Sequence, residues 1–346
     1  MKETVLVGMS GGVDSLVTAL LLQQRGYRIV GVVLELWEKN DTAVIEEICQ
    51  TFDIPLFFQE ERSLFREKVV EPFIATYLAG CTPSPCCFCN SEVKWRALYQ
   101  IAKQHDIPYI ATGHYVRIEQ LNGKYYIRCG VDVCKDQSYF FYNLPQEILA
   151  KALTPLGDYT KEEIKKMAVK WGYEKIVQRK ESMGICFLAG KDYREFIREQ
   201  IGNEKMELPG VIVDKDGVVL GEHQGLLHYT IGQKRGMPMK EGKQLYVAEM
   251  DAQNHRIIAD FKSALWTSEL YLKEMCWVDE SNLLAADITI KVRGIGLNPQ
   301  GFVKVKQLSE KEFKVELSEP AWAVAPGQPV ALFRKDLLIG GGIVTK

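Results

Sequence analysis

Gly8-Met9-Ser10-Gly11-Gly12-Val13-Asp14-Ser15 is the stretch that decides the fold. It follows the short apolar run Thr4-Val5-Leu6-Val7. It precedes Val13, Leu16, Val17, Leu20 and Leu21, which recur at helical spacing as far as Gly26. Strand, glycine loop and helix in that order make a cradle for an anion. Glycines let backbone amides approach phosphate oxygens, and the helix N-terminus adds a partial positive charge. The Ser10 and Ser15 hydroxyls can donate further hydrogen bonds, and Asp14 can hold the Mg²⁺ that accompanies a nucleotide. The turn lacks G-x-G-x-x-G, and the chain has no G-x-x-x-x-G-K-[ST], so neither a dinucleotide dehydrogenase nor a P-loop kinase is indicated.

Outward from this loop, strand-like and helix-like segments alternate. Residues 29–34 read as a second strand, 42–52 as a helix, 55–58 as a third strand and 64–78 as a longer helix, and 91–104 and 109–111 give another helix and strand. That alternation predicts an α/β fold, a doubly wound parallel sheet covered on both faces, over about the first 200 residues. From Gly210 onward β-branched residues and turns such as Asp216-Gly217 take over, and helical periodicity ends. The expected domains are therefore 1–208, with the nucleotide loop, a small β-rich middle domain at 209–265, and a C-terminal β-barrel at 266–346. Residues 262–270 form the expected separation between the last two. Barrel strands are expected at 288–292, 301–307, 314–317, 330–333 and 342–344.

The chain has 346 residues, of which 47% are hydrophobic and 25% charged, the balance of a globular protein rather than a disordered or fibrous one. The apolar run at 16–22, interrupted by Thr18, is far below the roughly 18 residues of a membrane span and has no basic segment before it. A cytoplasmic protein with no membrane contact is expected. Forty-three Lys and Arg against 45 Asp and Glu give a net charge of −2, so any nucleic-acid surface must be a local patch. One candidate is the basic stretch Lys161, Lys165, Lys166, Lys170, Lys175, Arg179 and Lys180.

Nine cysteines, an odd number, argue for reduced thiols rather than a disulfide framework. Cys81, Cys86, Cys87 and Cys89 crowd together, and Pro83-Ser84-Pro85-Cys86-Cys87-Phe88-Cys89-Asn90 leads into a helix. A thiol at a helix N-terminus has a lowered pKa, and Asn90 or Ser91 can cap that helix, so Cys89 is expected to be reactive. A further thiol, Cys186, lies in Gly184-Ile185-Cys186-Phe187.

Ser-Gly-Gly-x-Asp-Ser after the first strand resembles the PP-loop of the ATP pyrophosphatases, which break ATP between its α and β phosphates to adenylate a substrate oxygen. Together with the segments above, Ala111-Thr112-Gly113-His114-Tyr115, Lys135-Asp136-Gln137-Ser138-Tyr139-Phe140, Gly221-Glu222-His223-Gln224-Gly225, Thr230-Ile231-Gly232-Gln233, Pro326-Gly327-Gln328 and Gly340-Gly341-Gly342 resemble, nearly end to end, the bacterial tRNA-specific 2-thiouridylases.

The resemblance implies that Gly8, Met9, Ser10, Gly11, Gly12, Val13, Asp14, Ser15, Leu34 and Gly113 contact ATP. The C2 oxygen of the tRNA wobble uridine attacks the α-phosphorus and pyrophosphate leaves. It also implies that Cys186 carries sulfur as a persulfide, and that Cys89 is the catalytic partner that frees it or closes a Cys89–Cys186 disulfide. Ser84, Pro85 and Cys86 then lie at the target base, and His114, Lys135, Asp136, Gln137, Arg293, Gly294 and Gln328 near the tRNA. A cysteine desulfurase or sulfur-relay protein is the expected sulfur donor.

The family commonly has Asp where this chain has Cys86. Cys86, Cys89 and Cys186 therefore also match the three-cysteine set of the iron–sulfur tRNA thiolases that share the PP-loop fold. Two other readings are an amidotransferase-like adenylating enzyme and a non-catalytic RNA-binding protein with structural zinc. The paired thiols speak against the first, and the crowding of Cys86, Cys87 and Cys89 against the second.

Overall fold

The computed structural model describes residues 2–37, 42–179, 184–202, 208–294 and 296–345. The first sheet is built from β1 (Thr4–Gly8), β2 (Arg28–Glu35), β3 (Leu56–Glu60), β4 (Tyr109–Ala111) and, beyond the hairpin β5 (Val116–Leu121) and β6 (Lys124–Cys129), β7 (Ala152–Leu153). Its order is β3-β2-β1-β4-β7 and every pairing is parallel. Val5, Leu6 and Val7 of the central strand are fully buried, so the strand reads as a continuous apolar run without alternation.

Helices cover both faces, as doubly wound topology requires. Val5 and Val7 pack with Leu16, Val17 and Leu20 of α1 (Val13–Gln24), with Ile45 and Ile48 of α2 (Ala43–Thr51), and with Ile164 and Ala168 of α5 (Lys161–Lys170). Leu6, Val30 and Val32 face the other way, onto Trp95, Leu98 and Ile101 of α4 (residues 85–104). The chain leaves β1 toward β2 on one side and reaches β4 on the other. The crevice at the C-terminal ends of β1 and β4 is thus the switch point where such sheets bind ligands.

Two helices differ from the sequence expectation. Helix α3 runs over residues 62–78 and contains a π turn at Arg66–Val70. Helix α4 begins at Pro85 rather than at 91, with Ser84 at its N-cap and a π turn at Cys89–Lys94. Proline at the first helical position explains the early start, because its fixed φ suits the helix and its missing N–H has no partner there anyway.

The second sheet has the order β10-β11-β12-β8-β9, from β8 (Gly210–Asp214), β9 (Val219–His223), β10 (Met239–Lys240), β11 (Lys243–Asp251) and β12 (Arg256–Phe261). The third, an eight-stranded sheet that also takes in β5 and β6, draws six strands from the last part of the chain: β13 (Trp266–Trp277), β14 (Ile288–Lys291), β15 (Val303–Gln307), β16 (Glu312–Trp322), β17 (Pro329–Arg334) and β18 (Leu337–Val344). Its order is β14-β17-β18-β13-β16-β15, and all six strands contribute to one apolar core. The segment expected to separate the two β regions is a 3₁₀ turn, Lys262–Leu265, that leads straight into β13.

The β5–β6 hairpin belongs to the first half of the chain, yet β6 pairs with β18. Asn122-Gly123, both at positive φ, make its turn, and this short hairpin signal was not read from the sequence. Asp336 accepts from Arg117 and Arg128 across the same junction. No helix among the described residues is long and apolar enough to cross a membrane.

Candidate active site: a phosphate loop and a thiol helix

The loop between β1 and α1 is held by its own side chains. The Ser10 N–H and hydroxyl both donate to Ser15 Oγ at 3.2 Å, and the Ser15 hydroxyl donates to the Gly12 carbonyl at 3.0 Å. Gly11 has φ +75°, the left-handed region where glycine carries no steric penalty. Met9 is buried beneath the loop and its N–H donates to the Val32 carbonyl. Gly113, just past β4, lies so close that an added Cβ would stand 2.9 Å from the Asp14 carbonyl carbon. Leu34, near the end of β2, is partly buried against the core on the α4 side of the sheet. The loop, Gly113 and Leu34 thus line the switch-point crevice.

Asp14 does not stand free for a cation. Its carboxylate accepts two hydrogen bonds from Lys161 Nζ, both at 2.8 Å, and one from the Tyr115 hydroxyl at 2.7 Å. Lys161 is therefore buried at the first turn of α5 rather than offered to phosphates on a surface, unlike the exposed Lys166 and Lys170. A sequence signal for this existed. Thr160 and Glu163 form a capping box that fixes the helix start, and a lysine in a first helical turn opposes the helix dipole unless a specific anion holds it. Lys180, at the end of the same basic stretch, lies outside the described residues, as do Ser182 and Met183.

The second feature is α4. Ser84 is its N-cap, without a side-chain capping bond, and Pro85 and Cys86 occupy the first turn. Cys89 falls in the second turn, at the start of the π turn. The expectation of an acidic, N-terminal Cys89 is corrected: the residue is 7% exposed and burial pushes its thiol up to about 11, against a partial lowering by Lys94. Nor do Asn90 and Ser91 cap the helix. Asn90 Nδ2 donates to the Phe140 carbonyl, and the Ser91 hydroxyl donates back to the Cys87 and Phe88 carbonyls. Burial raises Cys86 as well.

Cys186 opens a 3₁₀ turn and is exposed. Its neighbour Phe187 is the anchor, with ring contacts to Phe65, Phe73 and Phe196 at centroid distances of 5.8, 5.1 and 5.1 Å. Cys89, Val93 and Phe187 belong to one apolar cluster, so the Cys186 turn sits over α4. Cys186 acts electrostatically on both Cys86 and Cys89. All are free, and among the described residues no group of three or more His, Cys, Asp or Glu side chains is arranged to hold a metal ion. The three-thiolate cluster arrangement does not fit this geometry.

The remaining candidates divide. His114 is half-buried, bonded through Nδ1 to Thr112 Oγ1 at 2.6 Å, and stacked on Trp95; burial first and Lys94 second hold its pKa well below the usual value. Asp136 points inward, where its carboxylate accepts from Lys291 Nζ at 2.6 Å and from the Ser138 hydroxyl at 2.7 Å. Gln137 Oε1 accepts from the Tyr115 N–H. Arg293 donates to the Trp322 and Ala323 carbonyls, and a Cβ on Gly294 would strike the Tyr139 and Phe140 rings. The Asp136–Lys291 pair and Gly294 against Tyr139 and Phe140 tie the last sheet to the first half of the chain, whereas Arg293 bonds within the C-terminal part and Gln137 within the first half. Lys135 and Gln328 remain partly exposed, and Pro326, beside Gln328, accepts from the Thr82 N–H just before α4.

Three family models match in succession: tRNA methyl transferase HUP domain over residues 3–190, tRNA methyl transferase PRC-barrel domain over 194–259, and aminomethyltransferase beta-barrel domain over 267–344. The chain is 39% identical to tRNA-specific 2-thiouridylase MnmA 2 of Phocaeicola vulgatus, over 99% of this chain and 100% of that protein. It is 37% identical to tRNA-specific 2-thiouridylase MnmA of Carboxydothermus hydrogenoformans, over 100% and 98% of the two chains. It is 35% identical to the protein of the same name from Lachnoclostridium phytofermentans, over the full length of both. The phosphate loop at the switch point and the thiols beside it accord with this full-length agreement: the chain belongs to the tRNA-specific 2-thiouridylase family.

Proposed function

We propose that this chain adenylates C2 of a uridine in the tRNA anticodon with ATP and replaces that oxygen by sulfur, giving 2-thiouridine, AMP and pyrophosphate. The observation that carries the reading is a built phosphate loop joined to the thiol helix through Gly113, which abuts Asp14, and His114, which stacks on Trp95, with the buried Cys89 on that helix and the exposed Cys186 anchored to the same cluster through Phe187. The three-part division at 1–208, 209–265 and 266–346 is part of this reading, supported by the three successive sheets.

Backbone amides of residues 9–15 and the N-terminus of α1 hold the ATP phosphates, with the Ser10 and Ser15 hydroxyls adding donors. Leu34 and Gly113 border the nucleoside. Magnesium at Asp14 requires that Lys161 first give up its place, so no step is assigned to the metal. Ser84, Pro85 and Cys86 take the target base, and Lys135, His114 and Gln328 line the approach of the tRNA. Asp136, Gln137, Arg293 and Gly294 act through the frame that carries these groups.

Exposure suits Cys186 to accept sulfur from a desulfurase or relay protein, and burial suits Cys89 to act only once the site is filled. Free thiols in odd number fit a reducing cytoplasm. Incubating the protein with ATP, tRNA and inorganic sulfide and digesting the RNA to nucleosides tests the reading. It predicts 2-thiouridine together with AMP; ADP and phosphate in place of AMP would overturn it.

A further inference from the structure

The following inference rests on the sulfur transfer proposed above and deepens it. Attack by Cys89 needs a thiolate, yet burial opposes that anion. The local helix geometry supplies a counter-charge. In an α-helix, a residue five positions on lies about 140° round the axis. Between Cys89 and Lys94 the helix is instead a π turn, whose i→i+5 bonding brings the fifth residue back toward the starting face. Cys86, three residues before Cys89, shares that side.

Lys94 is the cation that acts on Cys89, Cys86 and His114 alike, and the other titratable groups acting on Cys89 are Cys186 and Cys86. Lys94 is half-buried and has no hydrogen bond or ion pair among the described residues, although Glu92 on the same turn is taken by Arg96. A partly desolvated ammonium without a partner costs free energy. It is explained if an anion forms beside it during the reaction.

We propose that Lys94 is the positioning residue that holds the Cys89 sulfur, and the sulfur it releases, as anions during transfer. The Cys89 thiol gives its proton to bulk water. The thiolate attacks Sγ of a Cys186 persulfide, the Cys89–Cys186 S–S bond forms, and the bond to the outer sulfur breaks with its electron pair leaving on hydrosulfide. Hydrosulfide attacks C2 of the adenylated uridine and AMP departs. An external dithiol then reduces the Cys89–Cys186 disulfide. Negative charge stays within reach of Lys94 through the thiolate and hydrosulfide stages, while His114, kept neutral by burial and by Lys94 itself, does not compete for it.

The test is alkylation of Cys89 by iodoacetamide in the full-length protein, followed by peptide mass spectrometry from pH 7 to 11, for wild type, Lys94→Met and Lys94→Arg. Lys94→Met is expected to slow Cys89 alkylation about tenfold at pH 8, an upward shift of about one unit in its apparent pKa. Lys94→Arg restores the rate to within about threefold, since it keeps the charge. Thiolation falls in Lys94→Met and returns in Lys94→Arg, at unchanged thermal midpoint. A Lys94→Met protein whose Cys89 alkylates as in wild type overturns the proposal, whatever its thiolation. Absence of tRNA-dependent AMP formation by wild type strikes the underlying reaction instead, and the alkylation profile decides Lys94 separately.

Discussion

The phosphate loop and the thiol helix lie at the same end of the first sheet's neighbourhood but are finished to different degrees. In the loop, Ser10, Gly12 and Ser15 satisfy one another within five residues, and Asp14 is locked by Lys161 and Tyr115. Around α4, among the described residues, Asn90 Oδ1, Trp95 Nε1 and Asn143 Oδ1 are buried without partners and Lys94 has no counter-ion, and Cys89 is a thiol that burial keeps protonated. Buried polar groups left unpaired are costly, and they persist where function requires them. The contrast assigns the loop to binding that is ready beforehand and the thiol helix to chemistry that awaits its substrates.

The largest break in that contrast comes from Asp14→Asn. The substitution removes the carboxylate charge that holds the buried Lys161 ammonium and the Tyr115 hydroxyl at the first turn of α1, so tRNA-dependent AMP formation and thiolation should both vanish, while tRNA affinity stays within a few fold. A pyrophosphate-release assay beside a filter-binding measurement checks this. Cys89→Ser and Cys186→Ser should affect only one of the two functions: AMP still forms with tRNA, and nucleoside analysis finds no 2-thiouridine. Normal thiolation by either variant would remove that thiol from the mechanism.

A smaller effect sharpens the loop's side of the comparison. Gly113→Ala places a Cβ 2.9 Å from the Asp14 backbone, so the loop must shift. AMP formation should drop about tenfold, with thermal stability lowered by about 1–2 kcal/mol, the range of an overpacked site. The smallest effect falls on the thiol side. Cys86→Ser keeps size and some hydrogen bonding, so thiolation assayed without oxygen should remain within a few fold of wild type and the parent protein should carry no iron. An iron-containing parent with an inactive Cys86→Ser variant would contradict the persulfide route.

The same two regions explain what could be read from the sequence. The loop was legible because its chemistry is local: a strand, glycines and two serines in consecutive positions fix both the turn and its ligand class. The parallel sheet was legible for a similar reason, since apolar strands alternate with amphipathic helices. The thiol site was only half legible. The cysteines were visible, but the position of Cys89 depends on where α4 starts, and Pro85 moved that start by a turn and a half while the π turn re-aimed Lys94. Lys161, Lys291 and Tyr115 were missed as partners of Asp14 and Asp136 because those pairs join residues remote in the chain. Asp136 and Arg293, expected at the tRNA, carry partners that the sequence did not reveal: Lys291 for Asp136, and the Trp322 and Ala323 carbonyls for Arg293.

On the proposed mechanism, adenylation and sulfur transfer are separate steps served by these two regions. The most direct test of that separation follows AMP and 2-thiouridine in one reaction of Cys186→Ser with ATP, tRNA and a cysteine desulfurase supplied with cysteine as the sulfur source, without added sulfide. AMP formation that requires tRNA, with no 2-thiouridine, is expected, whereas loss of both products together would contradict the separation.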